Sequence, residues 1–397
     1  GYVKAVEIDP MFVKLGRMID PDNTYDNSNV SIEINDARRF LSKNKDKYDI
    51  VFSNFLDSQS SASNHARFRL DSFLYTLEGL KLAYNALNDN GILIINFTTA
   101  TEWIQYRIFT ILTMVSKHNV LAFKRTHGLQ SYYFISKGRK VRFKAKGVIN
   151  VTDKLRQKLS VKMPTDDWPF LYSYRPVIPK EHLRLLGYIF ILLCVAFIIS
   201  GQFNESGNKH ISDETAVYPY LLYAFFSGAA FFFIEIYAIA VMTPIFGSTY
   251  MGQSLVVMAV ISVSLFGSIL AHRFPFLSKS IVWIFLLCSI LLNFFAAKLV
   301  HPIYGVFLRS TPLIIILFVI PLFWSGYLYL SYLREVDGKC ILKMQKWNMF
   351  GGAIGGAAEC MVIVLGFRNS IWIAMLFYIL ALISIIILKY QRKLCRN

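Results

Sequence analysis

The sequence predicts an incomplete α/β sheet followed by an all-α polytopic membrane domain. Three observations lead there. Strand-like and helix-like segments alternate through the first part of the chain, the pattern of an α/β sheet. Apolar runs near the ~20 residues needed to cross a bilayer fill the second part. The chain also opens on Gly1-Tyr-Val-Lys-Ala-Val-Glu-Ile-Asp-Pro10, an apolar strand that ends in acidic residues. In a nucleotide-binding sheet such an acidic end belongs to the second strand. No first strand, Gly-rich turn or initiator Met precedes it, so the chain reads as one that begins inside a domain.

The overall composition conceals two unlike halves. The 397 residues are 55% hydrophobic and 15% aromatic, with a mean hydropathy of +0.44. Residues 1–184 carry 28 Lys+Arg against 18 Asp+Glu, and residues 185–397 carry 14 against 7. The first half has the charge of a soluble domain, and the second strings its few charges between apolar runs. A net charge of +17 raises nucleic acid as a partner. However, no basic motif interleaved with aromatics is present. Basic residues flank membrane spans for their own reason, so the expected partner is a lipid bilayer and not nucleic acid. Cys194, Cys288, Cys340, Cys360 and Cys395 all lie in the second half. None forms a CxxC pair or neighbours a His cluster, so no disulfide framework, metal site or thiol chemistry is expected.

The elements follow in order. Val3–Ile8 reads as a strand and Pro10–Met18 as a helix with proline in its first turn. Val30–Ile34 is a strand, and Ala37–Ser42 begins a helix after Asp36. Tyr48–Asn54 has the continuous apolar centre of a buried parallel strand. Asp71 is placed to cap a helix running to about Leu87. Asn90-Gly91 reads as a turn before a strand at Ile92–Phe97. A helix at Thr101–Ser116 precedes strands at Asn119–Lys124 and Ser131–Ile135, which are close enough to pair as an antiparallel hairpin. A parallel sheet ending in such a hairpin is the layout of the Rossmann-like class I S-adenosylmethionine-dependent transferases. Lys137–Lys146 alternates basic residues like a solvated edge strand, or a segment drawn to anionic lipid.

Particular stretches carry a closer resemblance. Val6-Glu7-Ile8-Asp9-Pro10, Asn35-Asp36-Ala37 and Tyr48-Asp49-Ile50-Val51 resemble spermidine synthase and its relatives. Leu56-Asp57-Ser58, Arg69–Glu78, Asp166–Tyr172, Phe246–Thr249, Gly351–Glu359 and Leu365–Arg368 resemble the bacterial membrane-embedded spermidine synthase-like proteins. The specific signal is the order of these motifs, since each is weak alone. The resemblance implies a domain at 1–147 lacking its first strand and Gly-rich loop, a linker at 148–183, and a membrane domain of about seven helices at 184–397.

The resemblance also implies roles. Glu7 would hold the nucleoside ribose, Asp36 would face the adenine amino group, and Ala37 would lie beside the ring. The chemistry suits them, because a carboxylate accepts two hydroxyl donors and an exocyclic amine needs an acceptor. Two plainer readings stay open: a solvated strand end for Glu7 and a helix cap for Asp36. Spermidine synthases place an aspartate where this chain has Asn54, and an amide cannot take a proton from an amine nucleophile. Asp57 matches the family's second aspartate and can bind an amine or act as the base. His65, Arg67 and Arg69 follow in a polar loop. There His65 is a candidate base or a plain surface residue, and the arginines are candidates for a carboxylate or phosphate. Asp166-Asp167-Trp168-Pro169 reads as a polar gate, or as a linker docking its aromatics at the bilayer surface.

Seven spans are expected, near 184–200, 216–241, 251–271, 279–300, 311–332, 349–366 and 370–389. Pro244 and Gly247 suggest a broken or re-entrant segment. Seven crossings put the basic tail opposite the basic segment before the first span, which conflicts with the positive-inside rule. Cytosolic nucleosides favour a cytoplasmic soluble domain on a bacterial inner membrane. Glu235 and Glu359 are the acidic residues deep in spans, read either as a site for a cationic substrate or proton, or as a packing contact. Gly351, Gly352, Gly355 and Gly356 suit close helix packing.

The functional expectation is a membrane-bound transferase using S-adenosylmethionine or its decarboxylated form. It would make an aminopropyl or methyl transfer to a small-molecule acceptor, a polyamine or another amine. The alternative is a transporter or lipid-handling protein with a sensory or vestigial nucleoside-binding domain.

Overall fold

The computed structural model describes the chain apart from residues 55–72, 118–119, 139–140, 142, 158–160, 203–216, 248–249, 276, 308–310 and 395–397. It divides into two compact units, residues 1–177 with 243–253, and residues 178–242 with 254–397.

The first unit opens with β1 (Val3–Glu7), α1 (Pro10–Ile19), β2 (Val30–Ile34), α2 (Ala37–Lys43) and β3 (Tyr48–Asn54). Asp9 caps α1 by accepting from the Met11 amide, and Pro10 fills the first turn where no amide is needed. Asp36 caps α2 by accepting from the Arg39 amide at 2.8 Å. The unit continues with α3 (Leu77–Asn85), β4 (Leu87–Thr98), α4 (Glu102–Ser116), β5 (Val120–Arg125), β6 (Gln130–Ser136), β7 (Val148–Asn150) and the single turn α5 (Thr152–Leu155). β1 and β2 form a parallel pair, and the remaining strands form a sheet in the order β3-β4-β6-β5-β7. β3 and β4 are parallel, while β6 runs antiparallel to both β4 and β5. The antiparallel hairpin at the end is as expected, but the parallel strands divide between two sheets, β1-β2 and β3-β4.

Three local expectations are corrected. The helix expected from Asp71 begins at Leu77, capped by Thr76 Oγ1 on the Gly79 amide, and Asp71 itself lies outside the described residues. The Asn90-Gly91 turn is absorbed into β4, because the ladder with β3 shifts register between Tyr48 and Ile50. The described residues of 137–146 form no strand. Phe143 packs against Phe123 and Phe134, as the apolar side of the alternation would, but the edge beside β5 is taken by β7.

The core lies between the larger sheet and helices α3 and α4, with Leu93, Ile95, Phe97, Ile108, Ile111, Leu112 and Tyr133 buried. On the other face of β3, Ile50 and Phe52 are each 59% exposed. The segment before the membrane helices also joins this core. Trp168, Phe170 and Leu171 are buried in the α/β unit, which corrects the reading that docks these aromatics at a bilayer surface. The fully buried Arg107 on α4 organises them. Its guanidinium donates to the carbonyls of Leu171 (2.5 Å), Ser173 (2.8 Å) and Tyr174 (3.2 Å). A planar fork of five donors can serve several carbonyls at once, which a lysine cannot do.

The second unit is helical: α6 (Lys180–Gln202), α7 (Tyr218–Phe246), α8 (Tyr250–Arg273), α9 (Lys279–Phe307), α10 (Thr311–Leu333), α11 (Gly338–Ala358), the short α12 (Val362–Leu365) and α13 (Phe367–Leu394). Seven of these are long and apolar enough to cross a membrane. α7 runs unbroken through Pro244, which falls in its last turn and removes one hydrogen bond near a helix end. The sixth span starts earlier than expected, at Gly338, and is interrupted by a tight turn at Glu359–Met361.

Contacts set the helix directions. Tyr223 meets Trp283 and Tyr237 reaches Asn293, so α7 and α9 run in parallel. Gly351 abuts Phe225 and Gly355 abuts Ala229, so α11 runs with α7. Trp283 binds Tyr332 while Asn293 reaches Phe318, so α10 runs opposite to α9. Tyr220 meets Arg392 while Phe233 meets Phe377, so α13 also runs opposite to α7. The starts of α7, α9 and α11 thus share one end with the ends of α10 and α13. Tyr220, Lys279, Glu335 and Arg392 form a hydrogen-bonded and ion-paired cluster there.

Candidate functional site

Glu7 and Asp36 come together at the carboxyl ends of two neighbouring parallel strands. Glu7 pairs in register with Ile34, and its carbonyl accepts from the Asn35 amide at 2.9 Å. Ligands of open α/β sheets bind outside this edge. Glu7 is half-buried, and its Oε1 accepts from the Asp9 amide at 3.0 Å. That bond fixes the carboxylate and leaves Oε2 without a hydrogen-bond partner among the described residues. Asp36 is buried and serves as the α2 cap, with half-buried Ala37 beside it. Gly247, in the 243–253 segment of the same unit, has φ +85° and lies against Asp36. A β-carbon there would sit 2.8 Å from Asp36 Cβ, so glycine is required on both counts. Ser248 and Thr249 of the Phe-Gly-Ser-Thr motif lie outside the described residues.

A neighbouring ion pair is separate from Glu7. Glu33 accepts from Asn35 Nδ2 at 2.9 Å and pairs with Lys4 at 3.1 Å. The Asn35 amide and then the Lys4 ammonium hold the Glu33 carboxyl below its ordinary range, and the bond to Glu33 holds Lys4 above its own.

Asn54 ends β3 and pairs in register with Asn96 on β4. Asn96 Nδ2 donates to Asn54 Oδ1 at 2.8 Å. Asp57, His65, Arg67 and Arg69 lie outside the described residues. A buried network supports the α2 side of the site. Arg38 pairs with Asp166 at 2.5 Å, Thr76 Oγ1 donates to Asp166 Oδ1 at 2.6 Å, and the Asp166 amide donates to Glu78 at 2.9 Å. The sequence marks Asp166-Asp167 as a motif, but nothing in the sequence pairs it with Arg38. Glu235 lies on α7 and Glu359 at the tight turn after α11, both in the second unit. Gly351, Gly352 and Gly355 serve close packing: a β-carbon on Gly351 would fall 2.0 Å from the Phe225 carbonyl oxygen, whereas Gly356 has room for one.

Comparison with known proteins bears on the first unit. Residues 2–125 match the family model of the spermine/spermidine synthase domain. The chain carries a mixed α/β sheet of the spermidine synthase type. It is followed by a helical region with seven candidate membrane spans. A crystal structure of spermidine synthase from Thermotoga maritima is similar over 47% of this chain and 60% of that one, at 18% identity and a TM-score of 0.28. The chain thus spans about 60% of that protein's length. No curated protein matches it.

Proposed function

We propose that the protein is a membrane-bound transferase that uses an S-adenosylmethionine-type nucleoside, with decarboxylated S-adenosylmethionine the first candidate. The observation that carries this is the fixed carboxylate of Glu7 beside Asp36, at the carboxyl edge of a sheet of the spermidine synthase type. The residues suit the group. Glu7 has an open oxygen for ribose hydroxyls, Asp36 offers a carboxylate to an adenine amine, and Ala37 leaves room for a ring. When bound, the sulfonium nucleoside supplies an electrophilic carbon attached to a thioether leaving group. The protein's part is to hold the acceptor in line with that carbon and to receive its proton. Asn54 cannot receive a proton, so Asp57 or His65 fills that role, with Arg69 binding the acceptor. On this reading the acceptor is a small molecule and an amine is the first class to test. The soluble unit faces the cytoplasm, where such nucleosides are made.

The supporting experiment is a product assay on the full-length protein. Release of methylthioadenosine from decarboxylated S-adenosylmethionine, dependent on an added amine, supports aminopropyl transfer. Formation of S-adenosylhomocysteine from S-adenosylmethionine supports methyl transfer. Turnover of neither nucleoside with any amine contradicts the reading.

Glu235 and Glu359, acidic residues within the candidate spans, favour a second reading, a transporter or lipid-handling protein whose α/β unit senses nucleoside. Carboxylates in membrane helices are costly and commonly mark a substrate or proton path. Under that reading, Glu235→Gln abolishes transport of a cationic substrate and leaves nucleoside binding intact.

A further inference from the structure

Asn96 is a residue that the sequence alone does not single out. It is 4% exposed, and its Oδ1 has no hydrogen-bond partner among the described residues. Leaving a buried acceptor unpaired costs about 1–3 kcal/mol, so such an atom calls for a partner. Its position suggests the source. Asn96 lies on β4 directly across from Asn54, near the carboxyl ends of two parallel strands. Its Nδ2 is already committed to Asn54 Oδ1. The open groups are therefore the Asn96 carbonyl, which accepts, and the exposed Asn54 amide nitrogen, which donates. Neither carries charge.

We propose that Asn54 and Asn96 form an acceptor subsite that reads an uncharged group able both to donate and to accept, a hydroxyl or a carboxamide. This rests on the transferase reading and names the acceptor class for it. An ammonium has donors only, so it can satisfy Asn96 but leaves the exposed Asn54 amide to water and makes no bond with it. A hydroxyl or carboxamide satisfies both. A site built around a hydrogen-bonding partner rejects analogues that lack it more strongly than an apolar pocket does.

The test is calorimetry on the full-length protein in lipid nanodiscs, in the presence of methylthioadenosine. The probes are 4-aminobutan-1-ol, 4-aminobutanamide and putrescine, which share one chain length. The alcohol and the amide bind about tenfold tighter than putrescine, and Asn96→Leu loses about that factor for both. Asn54→Asp presents a carboxylate at the same place and inverts the preference toward putrescine. This near-isosteric variant carries the test if Asn96→Leu does not fold. The subsite is overturned by a wild-type preference for putrescine, or by unchanged probe binding in Asn96→Leu, as when a water alone satisfies the carbonyl. It is also overturned if all three probes fail while methylthioadenosine still binds, an outcome that leaves the nucleoside reading standing. Failure of methylthioadenosine itself to bind overturns both.

Discussion

At the scale of residues, the account depends on a few polar side chains whose partners are fixed by the backbone. Glu7 is held by the Asp9 amide, so replacing it removes an acceptor already aimed at the strand edge. Glu7→Gln keeps the shape and loses the charge, and should weaken nucleoside binding by about tenfold, as for a hydrogen bond to a charged group. A nucleoside titration checks it. Glu33 gives a pH prediction. Its carboxyl is lowered in the folded state, so its contribution is present above its unfolded value, about 4.3, and is lost as pH falls through the lower folded value. Glu33→Gln should therefore be destabilised near neutral pH and converge with wild type in acid, measured by thermal unfolding across that range. Arg107→Lys leaves the carbonyls of 171–174 short of donors and should lower the unfolding temperature, although the charge is kept.

At the scale of elements, the strands and helices of the α/β unit were legible wherever local chemistry was strong. Pro10 at a first turn, Asp36 before a helix and the apolar centre of β3 mark elements whose observed bounds match closely, although Ile50 and Phe52 of β3 are exposed and not buried. Most of the misses come from pairing that the local sequence does not encode. For Asn90-Gly91 and Lys137–Lys146 it is strand pairing, since a register shift absorbs the turn and β7 takes the edge beside β5; the helix expected from Asp71 instead starts at a nearer cap, Thr76. The Arg38–Asp166 pair was illegible for a different reason, because residues 128 positions apart leave no periodicity to read. Breaking a buried pair by removing one partner costs about 3–5 kcal/mol. Asp166→Ala should show a loss of that order in chemical unfolding of the α/β unit. Asp166→Ala with Arg38→Leu should recover part of it, since no unpaired charge then remains buried. In the helical unit, Gly351→Leu forces side-chain atoms into the Phe225 backbone. It should cost at least the roughly 1–3 kcal/mol of an overpacked core, seen as a lower melting temperature in detergent.

At the scale of the whole molecule, the sequence marked two unlike halves, and the structure resolves an α/β unit and a helical unit. Helix directions sharpen the topology problem. The end of the bundle shared by the starts of α9 and α11 and the ends of α10 and α13 carries Lys279, Arg334, Lys339, Lys343, Lys346, Lys389 and Arg392, the kind of end that the positive-inside rule assigns to the cytoplasm. A cytoplasmic start for α6 then requires that α6 not cross fully. Single cysteines introduced at Lys180 and Lys389 on a cysteine-free background test this. Both should resist an impermeant maleimide added outside intact cells, and labelling of the Lys180 position would contradict the cytoplasmic placement.

The central claim is that the α/β unit binds a sulfonium nucleoside through Glu7. The most direct measurement is calorimetric titration of decarboxylated S-adenosylmethionine into the full-length protein and its Glu7→Ala variant. The account predicts saturable binding by wild type and a marked loss in the variant. No heat of binding by wild type up to millimolar ligand, or equal affinity in the two proteins, would contradict it.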